Sequence, residues 1–345
     1  TFMDRNAVNV LKDESFMNIT EESLCGILKR DSFFAPEVSI YKAVANWFKH
    51  NPQSNINKVL ELVRLPLMDL SHLLNVVRPS GILNSDAILD AIAMQTCRDY
   101  LNYRGSLIAD ENLATQKHGA RAIKGKDAEV LLDGDIKTYD IERGYASHLI
   151  DDDSDCLTVE LGTVHILNHI KILLWDRDIR NYSYYIEVSV NNEVWKRVID
   201  YTDYHCRSWQ FLYFPEIPVK YIRLVGTHNS ANRLFHCVAL EAYYTKDFPR
   251  LVNGIVAPIK NIATLDRSAV VLEGVSRTRN ALLNGDVKNY DWDSGYTCHQ
   301  LGSGCISIQL GQPYYLESCR ILLWDCDERS YSFYIESSID QKNWD

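Results

Sequence analysis

The sequence predicts a multidomain chain, with an N-terminal all-α domain followed by two all-β sandwiches, the second of them incomplete. Three observations carry this. Apolar residues recur at helical spacing up to about residue 104, and beyond it β-branched and aromatic residues gather with a period near two. A block of motifs then returns about 150 residues further on, the length of a duplicated domain.

The helical part shows a chain break every ten to fifteen residues or so. Thr20 precedes Glu21 and Glu22, a hydroxyl cap with acids in the first turn, and Leu24, Ile27 and Leu28 share the face behind it. Val38, Tyr41, Ala45 and Phe48 repeat the pattern after Pro36, and Asn51-Pro52 ends it. Ile56, Val59, Leu60 and Val63 form the next stripe, which stops before Pro66. Ser71 is expected to cap a short helix with Leu73, Leu74 and Val77. After Pro79-Ser80-Gly81 comes a last helix with Ile88, Leu89 and Ile92.

The β part opens after Tyr103-Arg104-Gly105. Thr158, Glu160 and Gly162 alternate with Val159 and Leu161, and Tyr182 to Val190 is a run of aromatic and β-branched residues. In the repeat, Leu131-Leu132-Asp133-Gly134-Asp135 returns as Leu282-Leu283-Asn284-Gly285-Asp286, and Gly144-Tyr145 as Gly295-Tyr296. Leu173-Leu174-Trp175-Asp176-Arg177-Asp178 returns as Leu322-Leu323-Trp324-Asp325-Cys326-Asp327. Tyr182 to Glu187 returns as Tyr331 to Glu336, and Trp195 as Trp344. The first copy continues past Trp195 to Tyr244, whereas the second reaches Asp345, so the second sandwich is expected to be incomplete. The expected domains are 1–104, 107–246 and 257–345.

Composition narrows the partners. A net charge of −10 argues against nucleic acid or an anionic membrane. No apolar run approaches the ~20 residues of a membrane helix. Thr1-Phe2-Met3-Asp4-Arg5 carries no secretory pattern. The 9 cysteines, an odd number without a C-x-x-C pair, are expected to be free thiols in a reducing, cytoplasmic compartment.

Two resemblances rest on these motifs. Leu131 to Asp135, Leu157 to Gly162, Tyr185 to Ser189 and Trp195 together resemble the coagulation factor 5/8 C-terminal (discoidin) family. This implies a jelly-roll sandwich of galactose-binding-like topology for 107–246 and 257–345. It also implies that Trp195 and Trp344 pack against the sandwich cores. Ile27 to Glu37 with Ala43 to Trp47 is similar to the BACK domain, which in its family follows a BTB domain and joins a cullin scaffold to a substrate-reading module. The resemblance therefore implies a non-catalytic, substrate-recruiting adaptor of a cullin-three ubiquitin ligase, with the BACK-like part as spacer and the sandwiches binding a protein substrate. No BTB pattern occurs in these residues, so cullin docking and any homo-oligomer are expected to depend on a BTB domain outside them. The alternative is a carbohydrate- or lipid-binding discoidin-type protein. Paired terminal cysteines and exposed apolar spikes would favour that reading, and neither is visible in the sequence.

The site residues singled out are Trp175, Asp176, Arg177, Asp178 and Arg180, with Trp324, Asp325, Asp327 and Arg329 as their counterparts. Such a loop either recognises a partner or braces a turn through internal ion pairs; because both copies carry it, bracing is the favoured reading. Asp133-Gly134-Asp135 with Thr138 is read as a turn rather than a calcium site, and Asp151 to Asp155 as a solvated acidic loop. Cys298, Cys305, Cys319 and Cys326, with His299 nearby, lack zinc-ribbon spacing and are read as ordinary buried thiols. His165, His169 and His205 are read as surface or loop residues. No cofactor is expected. Neither a P-loop, a G-x-S-x-G nor an H-E-x-x-H occurs, so no enzyme is expected.

Overall fold

The computed structural model describes residues 2–96, 101–152 and 154–345; Cys97, and Asp153 of the acidic loop, lie outside them. The chain divides into two compact units, one comprising Thr1–Ile108, Thr163–Ile166 and Ile217–Val219, the other the remaining residues.

The helical elements are α1 (Phe2–Arg5), α2 (Ala7–Val10), α3 (Glu21–Leu28), α4 (Glu37–His50), α5 (Ile56–Leu60), α6 (Leu70–His72) and α7 (Ser85–Thr96), linked by single helical turns. Thr20 caps α3 by accepting from the Ser23 amide at 3.3 Å. The Asn51 side chain closes α4 by donating to the Trp47 and Met17 carbonyls, each at 3.0 Å. Asp69, not Ser71, stands at the start of the short helix, and the chain widens into a π turn over Leu73–Val77. Leu24, Leu28, Ile40, Tyr41, Val44 and Trp47 form the middle of one core with Val59, Leu73 and Val77.

Arg104 belongs inside this core rather than at a domain edge; it is 1% exposed. Its guanidinium pairs with the buried Glu37 and donates to the carbonyls of Leu28 at 2.8 Å, Arg30 at 3.2 Å and Leu62 at 2.9 Å. Glu37 in turn accepts from the Arg64 amide at 3.1 Å. One side chain thus satisfies carbonyls left open at the end of α3 and after α5.

The β part is the β-sandwich that the motifs imply. Its strands are β1 (Arg121–Lys124), β2 (Ala146–Leu149), β3 (Leu157–Leu174), β4 (Tyr182–Ser189), β5 (Lys196–Cys206), β6 (Trp209–Asn229) and β7 (Leu234–Tyr243). They are ordered β2-β7-β3-β6-β4-β5, with β1 also on β3. β3 carries β1 on its first half, with Val159 opposite Ala122, and β7 on its second, with Ile170 opposite Ala242. In β4, Tyr184, Ile186 and Val188 are buried and alternate with half-buried Tyr185 and Glu187. Ile186 faces Ile199 of β5 and Leu224 of β6.

Trp195 departs from expectation. It precedes β5, which ends the strand order, and its half-buried ring lies 4.2 Å from the Arg223 guanidinium instead of in the core. Trp344 is 46% exposed.

The second copy builds less. After the short hairpin β8 (Leu251–Val252) and β9 (Ile255–Val256) that precedes it, it forms one antiparallel strand pair, β10 (Val270–Glu273) with β11 (Ser307–Gln309), and an isolated antiparallel bridge between Val275 and Cys298. Leu322, Leu323, Phe333 and Ile335, counterparts of buried residues in β3 and β4, are exposed. In the first copy β4 is flanked by β5 and β6, and those partners have no counterpart among the 345 residues.

The second copy still clasps the first. The buried Gln210 amide donates to Gly311 O at 2.8 Å while its own Oε1 accepts from the Tyr184 hydroxyl at 3.0 Å. The Gln312 side chain pairs with the Phe211 backbone, accepting from its amide and donating to its carbonyl at 3.0 Å. This copies the two-bond pattern of a strand neighbour. Among the described residues, no helix is long and apolar enough to cross a membrane.

Candidate functional site

The loop between β3 and β4 carries Trp175, Asp176, Arg177, Asp178 and Arg180, and it leans on the loop that precedes β2. Trp175 is 4% exposed. Its indole N–H donates to Asp140 O at 2.6 Å, and the Tyr139 hydroxyl donates to Asp176 Oδ1 at 2.6 Å. Arg177 stacks over the Tyr139 ring at 3.9 Å and donates to the carbonyls of Tyr139 and Lys137. Arg180 grips Asp178 with two donors, at 2.8 and 2.7 Å, and lies 4.1 Å over the Trp175 ring. The Asp178 carboxyl is held below its ordinary range, chiefly by the Arg180 hydrogen bond.

Beneath the loop lies His236, buried among Tyr145, Trp175 and Tyr182. Its Nδ1 is 3.3 Å from Arg180 and 3.2 Å from the Tyr182 hydroxyl. Burial, and then the positive charge of Arg180, push its pKa down to about 4. It is a neutral acceptor at neutral pH.

The preceding loop is self-supporting. Asp133 Oδ1 accepts from the Asp135 amide, Asp135 Oδ1 from the amides of Lys137 and Thr138, and Asp140 Oδ1 from those of Glu142 and Arg143. The turn acids are occupied by backbone donors. Gly144 sits at φ +80°, and a Cβ there would lie 2.7 Å from Thr138 O and the Tyr139 Cα.

The second copy assembles the same frame. Tyr290 donates to Asp325 Oδ1 at 2.7 Å, Trp324 to Asp291 O at 3.0 Å, and Arg329 grips Asp327 at 2.7 and 2.6 Å. Arg329 lies 4.2 Å over Trp324 and 5.2 Å from Trp292, and Gly295 takes φ +82°. The predicted residues are therefore brought together in both copies. What differs is the tip: Arg177-Asp178-Ile179 in the first copy and Cys326-Asp327-Glu328 in the second. In the first copy Ile179 is 76% exposed and Ile141, on the neighbouring loop, 71%. Exposed apolar residues on these loops are the feature that the carbohydrate- or lipid-binding alternative leads one to expect.

Sequence reasoning missed Tyr139 and Asp140, although their return as Tyr290-Asp291 was a legible signal. It also missed His236 and Arg207, which have no repeated counterpart. Arg207 reaches over the same loop to Asp178 O at 3.2 Å.

Other expectations change. His165 and His169 are buried in β3 rather than at the surface, because most of that strand is covered on both faces. His169 stacks on Tyr213 at 4.1 Å with its Nδ1 2.9 Å from Leu212 O, and burial pushes its pKa down to about 4. Cys298, Cys305, Cys319 and Cys326 are exposed, not buried, in the sparsely folded second copy. In the acidic loop, Asp155 accepts from the Leu149 and Cys156 amides, and Asp151 pairs with Arg233. Among the described residues, no three His, Cys, Asp or Glu side chains gather so as to hold a metal ion.

Comparison with known proteins follows this organisation. The model of the BACK (BTB And C-terminal Kelch) family matches residues 1–78, and that of the F5/8 type C domain matches residues 114–240. BTB/POZ domain-containing protein 9 of Drosophila melanogaster is 58% identical over 344 residues, covering 99% of this chain and 48% of that protein. Its Homo sapiens counterpart is 56% identical over 346 residues, covering 99% and 56%. The chain thus spans about half the length of the curated relatives it matches. Among solved structures, chitosan-binding module 1 from a chitosanase/glucanase of Paenibacillus sp. IK-5 is 23% identical with a TM-score of 0.31, covering 39% of this chain and 98% of that one.

Proposed function

We propose, for a chain that belongs to the family of BTB/POZ domain-containing protein 9, the role of a non-catalytic, cytoplasmic adaptor that recruits protein substrates to a cullin-three ubiquitin ligase. The BACK region serves as spacer, and the β-sandwich part reads the substrate. Cullin docking and homo-oligomerisation belong to a BTB domain of the whole protein. The observation that carries the reading is the twice-built loop frame. Its hydrogen bonds and ion pairs are spent internally, on Tyr139, Asp140 and Asp178 in one copy and on Tyr290, Asp291 and Asp327 in the other. A rigid frame with a differing tip suits recognition of a partner at low entropic cost.

In this reading Trp175, Asp176, Asp178 and Arg180 hold the first contact loop, and Arg177 and Ile179 touch the substrate at its tip. Trp324, Asp325, Asp327 and Arg329 do the same for the second loop. The test uses full-length protein with its BTB domain. Ile179→Asp and Arg177→Glu should lower capture of candidate substrates and their ubiquitination, and leave co-precipitation of cullin-three unchanged. Full substrate capture by both variants, or absence of cullin-three from the parent precipitate, overturns the proposal. Glycan and lipid arrays on the sandwich part would then test the alternative.

A further inference from the structure

A cavity of about 510 Å³ opens beside the first contact loop, where the two copies meet. Asp176 and Arg207 line it from the first copy, and Asp266, Ser268, Arg279 and Asn280 from the second. Its volume lies within the range of small-ligand pockets, about 300–1,000 Å³. The informative wall is Arg207. This side chain is 8% exposed, and one of its terminal nitrogens donates to Asp178 O at 3.2 Å. Its Nε, also buried, has no hydrogen-bond partner among the described residues. The charges of Asp176 and Asp178 act on this guanidinium, but those carboxylates are held by the Tyr139 hydroxyl and by Arg180 and make no ion pair with Arg207 among the described residues. A buried guanidinium with an open donor is costly to keep.

We infer that this cavity receives a single carboxylate of a protein partner, an acidic side chain or a chain terminus, with Arg207 as its inner donor and Arg279 at its mouth. A carboxylate supplies the planar pair of acceptors that a guanidinium fork matches. Asp176 and Asp266 on the same walls set the charge limit. They repel a doubly charged phosphate and tolerate a monoanion whose neighbouring amide N–H groups can donate to them. Ser268 and Asn280 add neutral polar groups to the rim. The inference rests on the substrate-reading role proposed above and adds the chemistry of one contact.

The experiment follows the Arg207 Nε–H resonance by NMR in the chain isotope-labelled at arginine. The probes are N-acetylglutamate methylamide for an acidic side chain, N-acetylglycine for a chain terminus, and inorganic phosphate. One carboxylate probe should move the resonance saturably, and the stronger of the two identifies the source. Arg279→Gln, at an exposed position that leaves the fold alone, should weaken that binding about tenfold. The inference is overturned by no movement at about 50 mM probe, beyond the millimolar range of weak ligands. A phosphate response equal to the carboxylate responses, or an Arg279→Gln protein that binds like the parent, also overturns it. Probe binding with failed ubiquitination would remove the adaptor reading and keep the cavity. Substrate capture without probe binding would do the reverse.

Discussion

Replacing Arg104 by alanine should unfold the helical unit well before the sandwich. The side chain is 1% exposed and meets four acceptors: Glu37 and the carbonyls of Leu28, Arg30 and Leu62. Removing one partner of a buried ion pair costs about 3–5 kcal/mol, because the other charge stays buried. The carbonyls that lose their donor add about 1 kcal/mol each where water cannot replace it. These contributions overlap, so the expected loss is at least ~4 kcal/mol, against about 5–15 kcal/mol for a whole domain. For a domain of this size that is roughly a 20 °C fall in Tm. Far-UV circular dichroism reads it directly, since the α-helices longer than one turn all lie within this unit. Two further variants separate pairing from capping. If Arg104 only neutralises Glu37, then Arg104→Met with Glu37→Leu should recover most of the stability. Because Arg104 also serves three carbonyls, the double variant should stay at least ~2 kcal/mol below the parent. An Arg104→Ala protein whose helical transition shifts by less than about 1 kcal/mol would refute the reasoning.

Three other outcomes follow from the same structure. Trp195→Ala should cost only about 1 kcal/mol in denaturant unfolding, the scale of a half-buried cation–π contact with Arg223, and not the ~3–5 of a core tryptophan. Gly144→Ala should cost at least ~2 kcal/mol, because both the positive φ and the backbone of Tyr139 oppose a Cβ, and it should weaken substrate capture along with stability. The sandwich should also lose stability on acidification. His169 and His236 fall from the ordinary value of 6.5 to about 4 on folding. The unfolded chain therefore binds protons that the folded one refuses, so stability is complete above about pH 6.5 and declines as pH falls towards 4, by up to roughly 3 kcal/mol per histidine. A denaturation midpoint flat across that interval would show that both imidazoles protonate freely in the fold.

The helical caps and stops were legible because they depend on neighbours in sequence: Thr20 reaches Ser23, and Asn51 reaches back to Trp47. The loop frame was legible for another reason. The repeat printed Trp175, Asp176, Asp178 and Arg180 twice, so the group could be singled out before its geometry was known. What stayed hidden depends on contacts distant in the chain. His169 reads as a polar interruption, yet Leu212 and Tyr213, more than forty positions on, enclose it. Arg104 looks like the start of a linker because its acceptors lie in three earlier segments, 42 to 76 positions away. Trp195 misled in the opposite direction. The family resemblance implied a core position, but only the strand order reveals that β5 has an open side.

The glutamine clasp bears on how such a chain can be inherited and rearranged. Tandem repeats are often treated as cassettes, to be shuffled, trimmed or transplanted one at a time. Here Gln210, wholly enclosed, sends part of its amide to Gly311, and the Phe211 backbone borrows a neighbour from Gln312. A recombination joint placed between the copies would take the Gly311 acceptor from Gln210, leaving it the carbonyls of Arg207 and Ser208, and would give the other product a polar hook with nothing to hold. The seam therefore favours keeping the duplicated pair together. Its two halves are free to diverge at their loop tips and bound to keep the seam, since a change at Gly311 or Gln312 is felt inside the neighbouring repeat.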